Sequence, residues 1–419
     1  MPPQRSAFHG EPGASKKLKA SAASAVSPLI QPFYPAIDGL RAVAFFMVFF
    51  VHYGTMASNA EFLQWGWTGV DLFFVISGFL ITGILYDSLH RTDYFRGFYI
   101  RRALRIFPIF YAFWVLMLVL TPVLHIQWTR YNLAGAAYLG NFLMPGARLG
   151  LHPDGLGVAY LSFHVRGHLN FIDGQHLWSL CIEEQFYLVW PAILWLVRTR
   201  QKILRLCLIV IVVIPLLRVL YFHLHPAMLG AGYLYVSTWS RVDTLMVGAA
   251  LALWLRGSAP SPKTLRRVAV ITLFAAPLLL AVLYSYEGVH LAGTSYDPIV
   301  DTVGFTLIAL ASAGLLLLCL DLRSPLTRML QTRWLVSLGR ISYGLYFVQG
   351  ILQPIFVANA TRLKAHHLAW VILIVPFALT WIIASASFYF LESPFLRLKS
   401  RFAPRAGRVA DPQPDPALR

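Results

Sequence analysis

Long apolar runs separated by short polar connections follow one another along most of this chain. Eleven runs can be distinguished, at residues 36–57, 67–87, 103–124, 133–144, 177–197, 203–222, 233–255, 268–286, 299–320, 335–357 and 368–391. A helix of about 20 apolar residues crosses the hydrocarbon core of a bilayer, and all the runs except Leu133 to Met144 reach about that length. The pattern predicts an all-α polytopic membrane protein with about ten transmembrane helices and one short re-entrant or peripheral helix.

Basic residues in the connections predict how the helices are oriented. If Leu133 to Met144 does not cross, the connections on one side carry fifteen Lys and Arg residues and those on the other side carry five. Cytoplasmic loops are the ones enriched in Lys and Arg. Both termini are therefore expected in the cytoplasm, as disordered tails at residues 1–33 and 397–419 that flank a transmembrane domain at residues 34–396.

The composition excludes a soluble protein. Of the 419 residues, 58% are hydrophobic and 13% are charged, which is about half the charged fraction of soluble domains. The net charge of +17 does not indicate nucleic acid, because the basic residues lie between apolar runs. In that position they face anionic lipid headgroups. Membrane lipids are therefore expected partners.

The sequence does not predict a metal site. Cys181, Cys207 and Cys319 lie inside apolar runs without the spacing of metal ligands. His164 and His168 have helical i,i+4 spacing, but no cysteine or HExxH pattern accompanies them. The stretch from Pro145 to His176 is expected to be an acceptor-binding loop or a solvated surface.

The first run carries three ionisable side chains, Asp38, Arg41 and His52. Burying such groups in hydrocarbon costs several kcal/mol, so an ionisable residue inside a membrane helix indicates a functional site. Arg41 and His52 are eleven residues apart. They therefore lie on nearly the same helix face, roughly 16 Å apart along the axis.

Further ionisable residues are expected at two depths. The group near the depth of His52 comprises Asp71, Glu183, Glu184, Arg241 and Asp243. The group at the cytoplasmic mouth of the third helix comprises Arg101, Arg102 and Arg105. Asp71 and the Arg241/Asp243 pair have two interpretations, as substrate-binding residues or as buried ion pairs that fix helix packing.

These residue types fit acyl transfer from a phosphorylated cytoplasmic donor. His52 could act as general base for an acceptor hydroxyl, with Glu183 or Glu184 as its orienting partner. Because the two glutamates are adjacent, they point about 100° apart, and only one is expected to face the histidine. Arg41 would stabilise the donor or the oxyanion.

The basic residues of the third helix fit phosphate binding. Arg102 and Arg105 are three residues apart, share a helix face and could hold phosphates in a bidentate manner, with Arg101 beside them. Coenzyme A carries phosphates at one end and its thioester at the end of a long arm. The distance from Arg41 to His52 is of the order that this arm must span.

Six motifs in order resemble the acyltransferase-3 family of membrane O-acyltransferases, which includes acetylases of O-antigen, exopolysaccharide and nodulation factors. The resemblance covers about residues 34–396. The motifs are DGLRA (38–42) followed by His52, GVDLFFVISGFLIT (69–82), FYIRRALRIFPIFY (98–111), LWSLCIEEQFYLVWP (177–191), RVDTLMVG (241–248) and GRISYGLYFVQ (339–349).

The resemblance implies an acyl-CoA donor, commonly acetyl-CoA, and a carbohydrate or lipid-linked glycan acceptor at the bacterial inner (plasma) membrane. The family's first-helix arginine and histidine correspond to Arg41 and His52, and its RxxR motif to Arg102 and Arg105. Asp38 and Tyr343 are further candidates for substrate binding. The chain departs from the family's SYxxYLxH motif, because Gln349 stands where relatives often have histidine.

Two other functions explain the intramembrane polar residues. The first is a transporter that uses them as a pathway for protons or a sugar. The second is an acyl-group translocator that feeds a separate transferase. The six motifs favour the O-acyltransferase.

Overall fold

Every long apolar run folds as a helix in the computed structural model, because a backbone inside hydrocarbon must satisfy its hydrogen bonds within its own segment. The structure describes residues 34–58, 60–142, 163–164, 171–172, 174–225, 232–258, 260–287, 297–321 and 324–402. The helices are α1 (Pro35–Phe49), α2 (Gly69–Asp87), α3 (Tyr94–Leu124), α4 (Arg130–Ala136), α5 (Trp178–Val197), α6 (Arg200–Leu224), α7 (Thr238–Leu255), α8 (Pro262–Glu287), α9 (Phe305–Leu320), α10 (Pro325–Leu330), α11 (Arg333–Arg340), α12 (Ser342–Ala365), α13 (Val371–Ala386) and α14 (Ser393–Phe402).

Short segments of other geometry connect or extend these helices. Three π-helical turns lie at Phe50–Gly54, Val300–Gly304 and Ser387–Glu392. The remaining short pieces are 3₁₀ helices at Glu61–Thr68 and Gln175–Leu177, one-turn helices at Thr55–Ala57 and Tyr233–Val236, and an antiparallel pair of two-residue strands, β1 (Phe163–His164) and β2 (Phe171–Ile172).

The all-α polytopic class predicted from the sequence is confirmed. Eight helices of the described residues are long and apolar enough to cross a membrane. The bent pair of α11 and α12, which meet at 68°, would make a ninth. The other predicted span forms α7, which has 18 residues and carries Arg241 and Asp243 in its first half. The side of the membrane that each terminus faces stays a prediction.

The short run near Leu133 folds as expected over its described residues. α4 has seven residues and begins with a capping box, in which Thr129 and Asn132 satisfy each other's backbone N–H groups. Such a helix is too short to cross a bilayer. At the other end of the chain, residues 397–402, expected in the C-terminal tail, belong to α14. The remaining parts of both expected tails, and also His152 and His168, lie outside the described residues.

The helices α2 and α7 pack backbone to backbone through two glycines. A Cβ atom added to Gly78 would collide with the main-chain carbonyl of Leu245, and one added to Gly248 would collide with that of Val75. Small residues at such contacts let membrane helices approach closely. This contact brings together the polar side chains that α2 and α7 carry into the interior.

We expect Gly78→Ala to destabilise the protein by about 1–3 kcal/mol, because the new methyl group meets backbone that cannot move aside. Chemical unfolding in detergent micelles measures the change. Gly344→Ala is the matched control, since its added Cβ has its nearest neighbour at 3.4 Å, an ordinary contact. Equal stability of the two variants would contradict the packing described here.

Candidate active site

A cavity of about 410 Å³ opens among α1, α2, α3, α5, α11, α12 and α14. Its basic lining residues are Arg41, Arg101, Arg102, Arg105, Arg340 and Lys399, and its acidic ones are Asp38, Glu183 and Glu184. Tyr343, predicted to bind substrate, lines it as well. Because the basic side chains outnumber the acidic ones, the cavity favours an anionic ligand.

Aromatic rings support the Arg102 guanidinium. It lies over the ring of Tyr187, with 5.4 Å between Cζ and the ring centroid, and over Phe98 at 5.9 Å. An aromatic face attracts a cation without using its N–H donors. Arg105, three residues later on α3, lines the same cavity. The two guanidinium groups therefore line one cavity, and phosphate binding by them stays a prediction.

The cavity also contains the first turn of α1. An Arg41 nitrogen, Nη1, lies 3.7 Å from Oδ1 of Asp38, one turn earlier on the helix. This separation is at the long end of the range for an ion pair, and both side chains are partly exposed.

Both predicted glutamates of α5 line the cavity, and neither is the hydrogen-bond partner of His52. The charges of Arg41 and Arg102 act on Glu183. The hydroxyl groups of Ser77 and Tyr187 lie next to the Glu183 carboxylate. Their oxygen atoms are 2.5 Å apart. The two glutamates share the cavity, although they are adjacent in sequence, because the cavity extends around the surface of α5.

His52 lies beyond this cavity, in the π-helical turn Phe50–Gly54 that extends α1. Its partner is Gln349 of α12, whose Oε1 lies 3.0 Å from Nδ1 of the imidazole. The next residue, Tyr53, donates a 2.5 Å hydrogen bond to the main-chain carbonyl of Gln349. His52 itself is half-buried, so it remains partly accessible.

Ser179 and Tyr346 form a hydrogen-bonded layer in the cavity lining. Ser179 Oγ and the Tyr346 hydroxyl lie 2.7 Å apart. The Tyr346 hydroxyl donates to the main-chain oxygen of His176 at 2.9 Å. Tyr346 and Gln349 are three residues apart on α12, which is about 4.5 Å along the axis. Gln349, the partner of His52, therefore lies about one helical turn from the cavity lining.

Several residues of this region were not assigned by the sequence. Arg340 lies inside the GRISYGLYFVQ motif, so its position was visible there but its direction was not. Lys399 lies in the segment that was expected to be a tail. His176 was expected in a polar loop, but its ring is buried and donates from Nε2 to the carbonyl of Phe347 at 2.9 Å.

Three predicted substrate-binding residues lie outside the cavity lining, in buried ion pairs. Arg241 pairs with Asp71 at 2.7 Å, and its guanidinium lies 3.8 Å from the ring centroid of Phe305. Asp243 pairs with Arg218 of α6 at 2.8 Å. Arg241 and Asp243 do not pair with each other, because residues two apart on a helix point to opposite sides. Their geometry matches the interpretation as packing ion pairs.

We expect Asp71→Leu to cost about 3–5 kcal/mol, because it leaves the Arg241 charge buried without its partner. The double variant Asp71→Leu/Arg241→Met should regain most of that loss. Glu61→Leu, which removes an exposed carboxylate at the start of the 3₁₀ helix Glu61–Thr68, is the control and should change stability by less than about 1 kcal/mol. Unfolding in detergent micelles measures all three, and a double variant no more stable than Asp71→Leu would disprove the pairing.

The chain was compared with known proteins. The family described as an acyltransferase domain matches residues 34–390. The peptidoglycan O-acetyltransferase OatA of Listeria monocytogenes is 28% identical over 366 residues, covering 86% of this chain and 56% of that protein. The O-acetyltransferase OatA of Staphylococcus aureus is 28% identical over 378 residues, covering 86% and 57%.

The chain thus spans little more than half the length of these two relatives. No solved structure matches it.

Proposed function

The chain belongs to the acyltransferase-3 family, and on that premise we propose that it is a membrane O-acyltransferase. It would move an acyl group, in the first instance acetyl, from acyl-CoA to a hydroxyl of a cell-envelope carbohydrate. The relative from Listeria monocytogenes is named a peptidoglycan O-acetyltransferase, which makes this polymer the first acceptor to test. The bacterial inner (plasma) membrane would be its location.

One observation carries this proposal. A cavity with an excess of basic side chains lies at one end of α1, and a half-buried imidazole lies in the helical turn that extends its other end. Arg41 of the cavity and His52 are separated by roughly 16 Å along this helix. The arrangement suits a long donor that is anionic at one end and reactive at the other.

The phosphates of the donor would bind Arg102 and Arg105, with Arg101 nearby. Glu183 and Glu184 would reduce the repulsion among the basic side chains. Arg41 would contact the long arm of the donor. The thioester would reach His52 when the layer of Ser179 and Tyr346 opens. The acceptor would approach His52 from its exposed side.

The chemical step needs only the groups named. His52 Nε2 accepts the proton of the acceptor hydroxyl while the hydroxyl oxygen attacks the thioester carbonyl. The C–S bond breaks, and the departing thiolate takes the proton from the imidazolium. A covalent route balances as well: Nε2 attacks the thioester carbonyl, and the C–S bond breaks to give an acyl-imidazolium and a thiolate. The acceptor hydroxyl then attacks the acyl carbon, the C–N bond breaks, and the hydroxyl proton passes to the thiolate, which leaves the imidazole neutral.

We expect His52→Ala to lose acyl transfer by at least about 100-fold, because either route needs the imidazole. The assay follows the release of free thiol from acetyl-CoA by purified protein in lipid vesicles, with soluble peptidoglycan fragments as acceptor. Mass spectrometry then detects the acylated fragment. His90→Ala is the control, since His90 is exposed in the connection between α2 and α3.

Full activity of His52→Ala would refute both routes. Thiol release limited to one equivalent per protein, without an acylated fragment, would support the translocator. Transport of the fragment without thiol release would support the transporter.

We expect Arg105→Gln to raise the KM for acetyl-CoA by about 10–150-fold, because one charged hydrogen bond is worth about 1.5–3 kcal/mol. Its kcat should change little, since the phosphates lie far from the reacting carbon. Arg96→Gln is the matched control, as Arg96 is exposed on the same helix and outside the cavity lining. Equal KM values for the two variants would place the donor phosphates elsewhere.

A further inference from the structure

Gln349 is a fully buried polar side chain whose amide oxygen contacts the imidazole of His52. The residue is 0% exposed. Its Oε1 lies 3.0 Å from Nδ1 of His52. Its amide nitrogen has no hydrogen-bond partner. Among the described residues, the contact between Oε1 and His52 is therefore the hydrogen bond that holds the Gln349 side chain.

We propose that Gln349 is the positioning residue of His52 and fixes the proton of the neutral imidazole on Nδ1. A carbonyl oxygen can only accept a hydrogen bond, so Nδ1 must carry the hydrogen. The other ring nitrogen, Nε2, then holds the lone pair. Gln349 thus presents Nε2 as the base or nucleophile, an inference that rests on the function proposed for His52.

The backbone around His52 explains how Gln349 is held at two points. The π-helical turn Phe50–Gly54 is wider than an α-helical turn, and consecutive residues, His52 and Tyr53, both bond to Gln349. Such turns recur at functional sites. Tyr53 fixes the main chain of Gln349, and His52 meets its side chain. Backbone and amide are therefore positioned together.

A second histidine, His176, also contacts α12 near Gln349. Its ring donates to the carbonyl of Phe347, two residues before Gln349. A Cβ atom on Gly350 would collide with this ring, so only glycine allows the imidazole to lie so close to the helix. The segment from Phe347 to Gly350 therefore contacts both the π-helical turn Phe50–Gly54 and the 3₁₀ helix Gln175–Leu177.

A neutral amide suits a base better than a carboxylate would in this place. An amide orients the ring without adding charge, whereas a carboxylate would stabilise the protonated imidazolium and keep the base occupied. The titratable neighbour whose charge acts on His52 from another packed element is His176. The remaining direct partner is the Gln349 amide itself.

The first test reads the tautomer directly. Nitrogen-15 NMR of histidine-labelled protein in nanodiscs, with the His52 signals identified by their loss in His52→Ala, should show a protonated Nδ1 and an unprotonated Nε2. In Gln349→Leu both tautomers should be populated, because leucine accepts no hydrogen bond. Gln331→Leu, the same change at an exposed glutamine, should leave the signals unchanged.

The second test uses the acyl-transfer assay. Gln349→Leu should lower kcat by about 10–100-fold, the loss typical when the partner that orients an imidazole is removed. The KM for acetyl-CoA should stay within about twofold, because Gln349 does not line the cavity. Gln349→Glu keeps an acceptor oxygen and should restore most of kcat at a pH high enough to keep the imidazole neutral. Its acid limb of the pH profile should move to higher pH.

The outcomes separate this inference from the proposed function. Unchanged His52 signals and an unchanged kcat in Gln349→Leu would overturn the positioning role. Should that variant fail to fold, an unshifted acid limb in Gln349→Glu would overturn it instead. If His52→Ala is fully active, the proposed function fails, and the NMR experiment alone still decides whether Gln349 sets the tautomer.

Discussion

A charge that a helix carries into an apolar interior must find its partner inside the protein, because unpaired burial costs several kcal/mol. This chain meets the requirement in three ways. Asp71 and Arg241 neutralise each other completely. The basic residues of the cavity face two glutamates and remain in excess. His52 meets a neutral amide that uses one ring nitrogen and leaves the other.

These three solutions divide the molecule into parts with different tasks. The ion pairs, together with the contact of Gly78 and Gly248, join α2, α6 and α7 into a rigid centre. The basic cavity and the Gln349 side chain that contacts His52 both lie along α12, next to this centre of paired charges.

Much of this arrangement could be predicted from the sequence. Run lengths gave the helical class, and the shortness of the run at Leu133 gave its non-spanning character. Helical spacing together with the family motifs was enough to group Arg102 with Arg105 on one face of α3, and both line the cavity. These features depend on local periodicity, which the sequence displays directly.

The features that could not be predicted depend on tertiary contacts. Gln349 is 297 positions from His52, so the spacing of residues along α1 does not point to it. Arg218, the partner of Asp243, lies in an apolar run that otherwise gives no sign of a polar contact. Spacing along one helix carries no information about either contact.

The last described helix has a mechanical consequence. α14 follows α13 through the π-helical turn Ser387–Glu392, and its Lys399 forms part of the cavity wall. The helix is therefore both a wall of the cavity and the point at which the polypeptide after residue 402 is attached. A displacement of this helix would change the shape of the cavity, so movement of the attached polypeptide would be transmitted to the cavity wall.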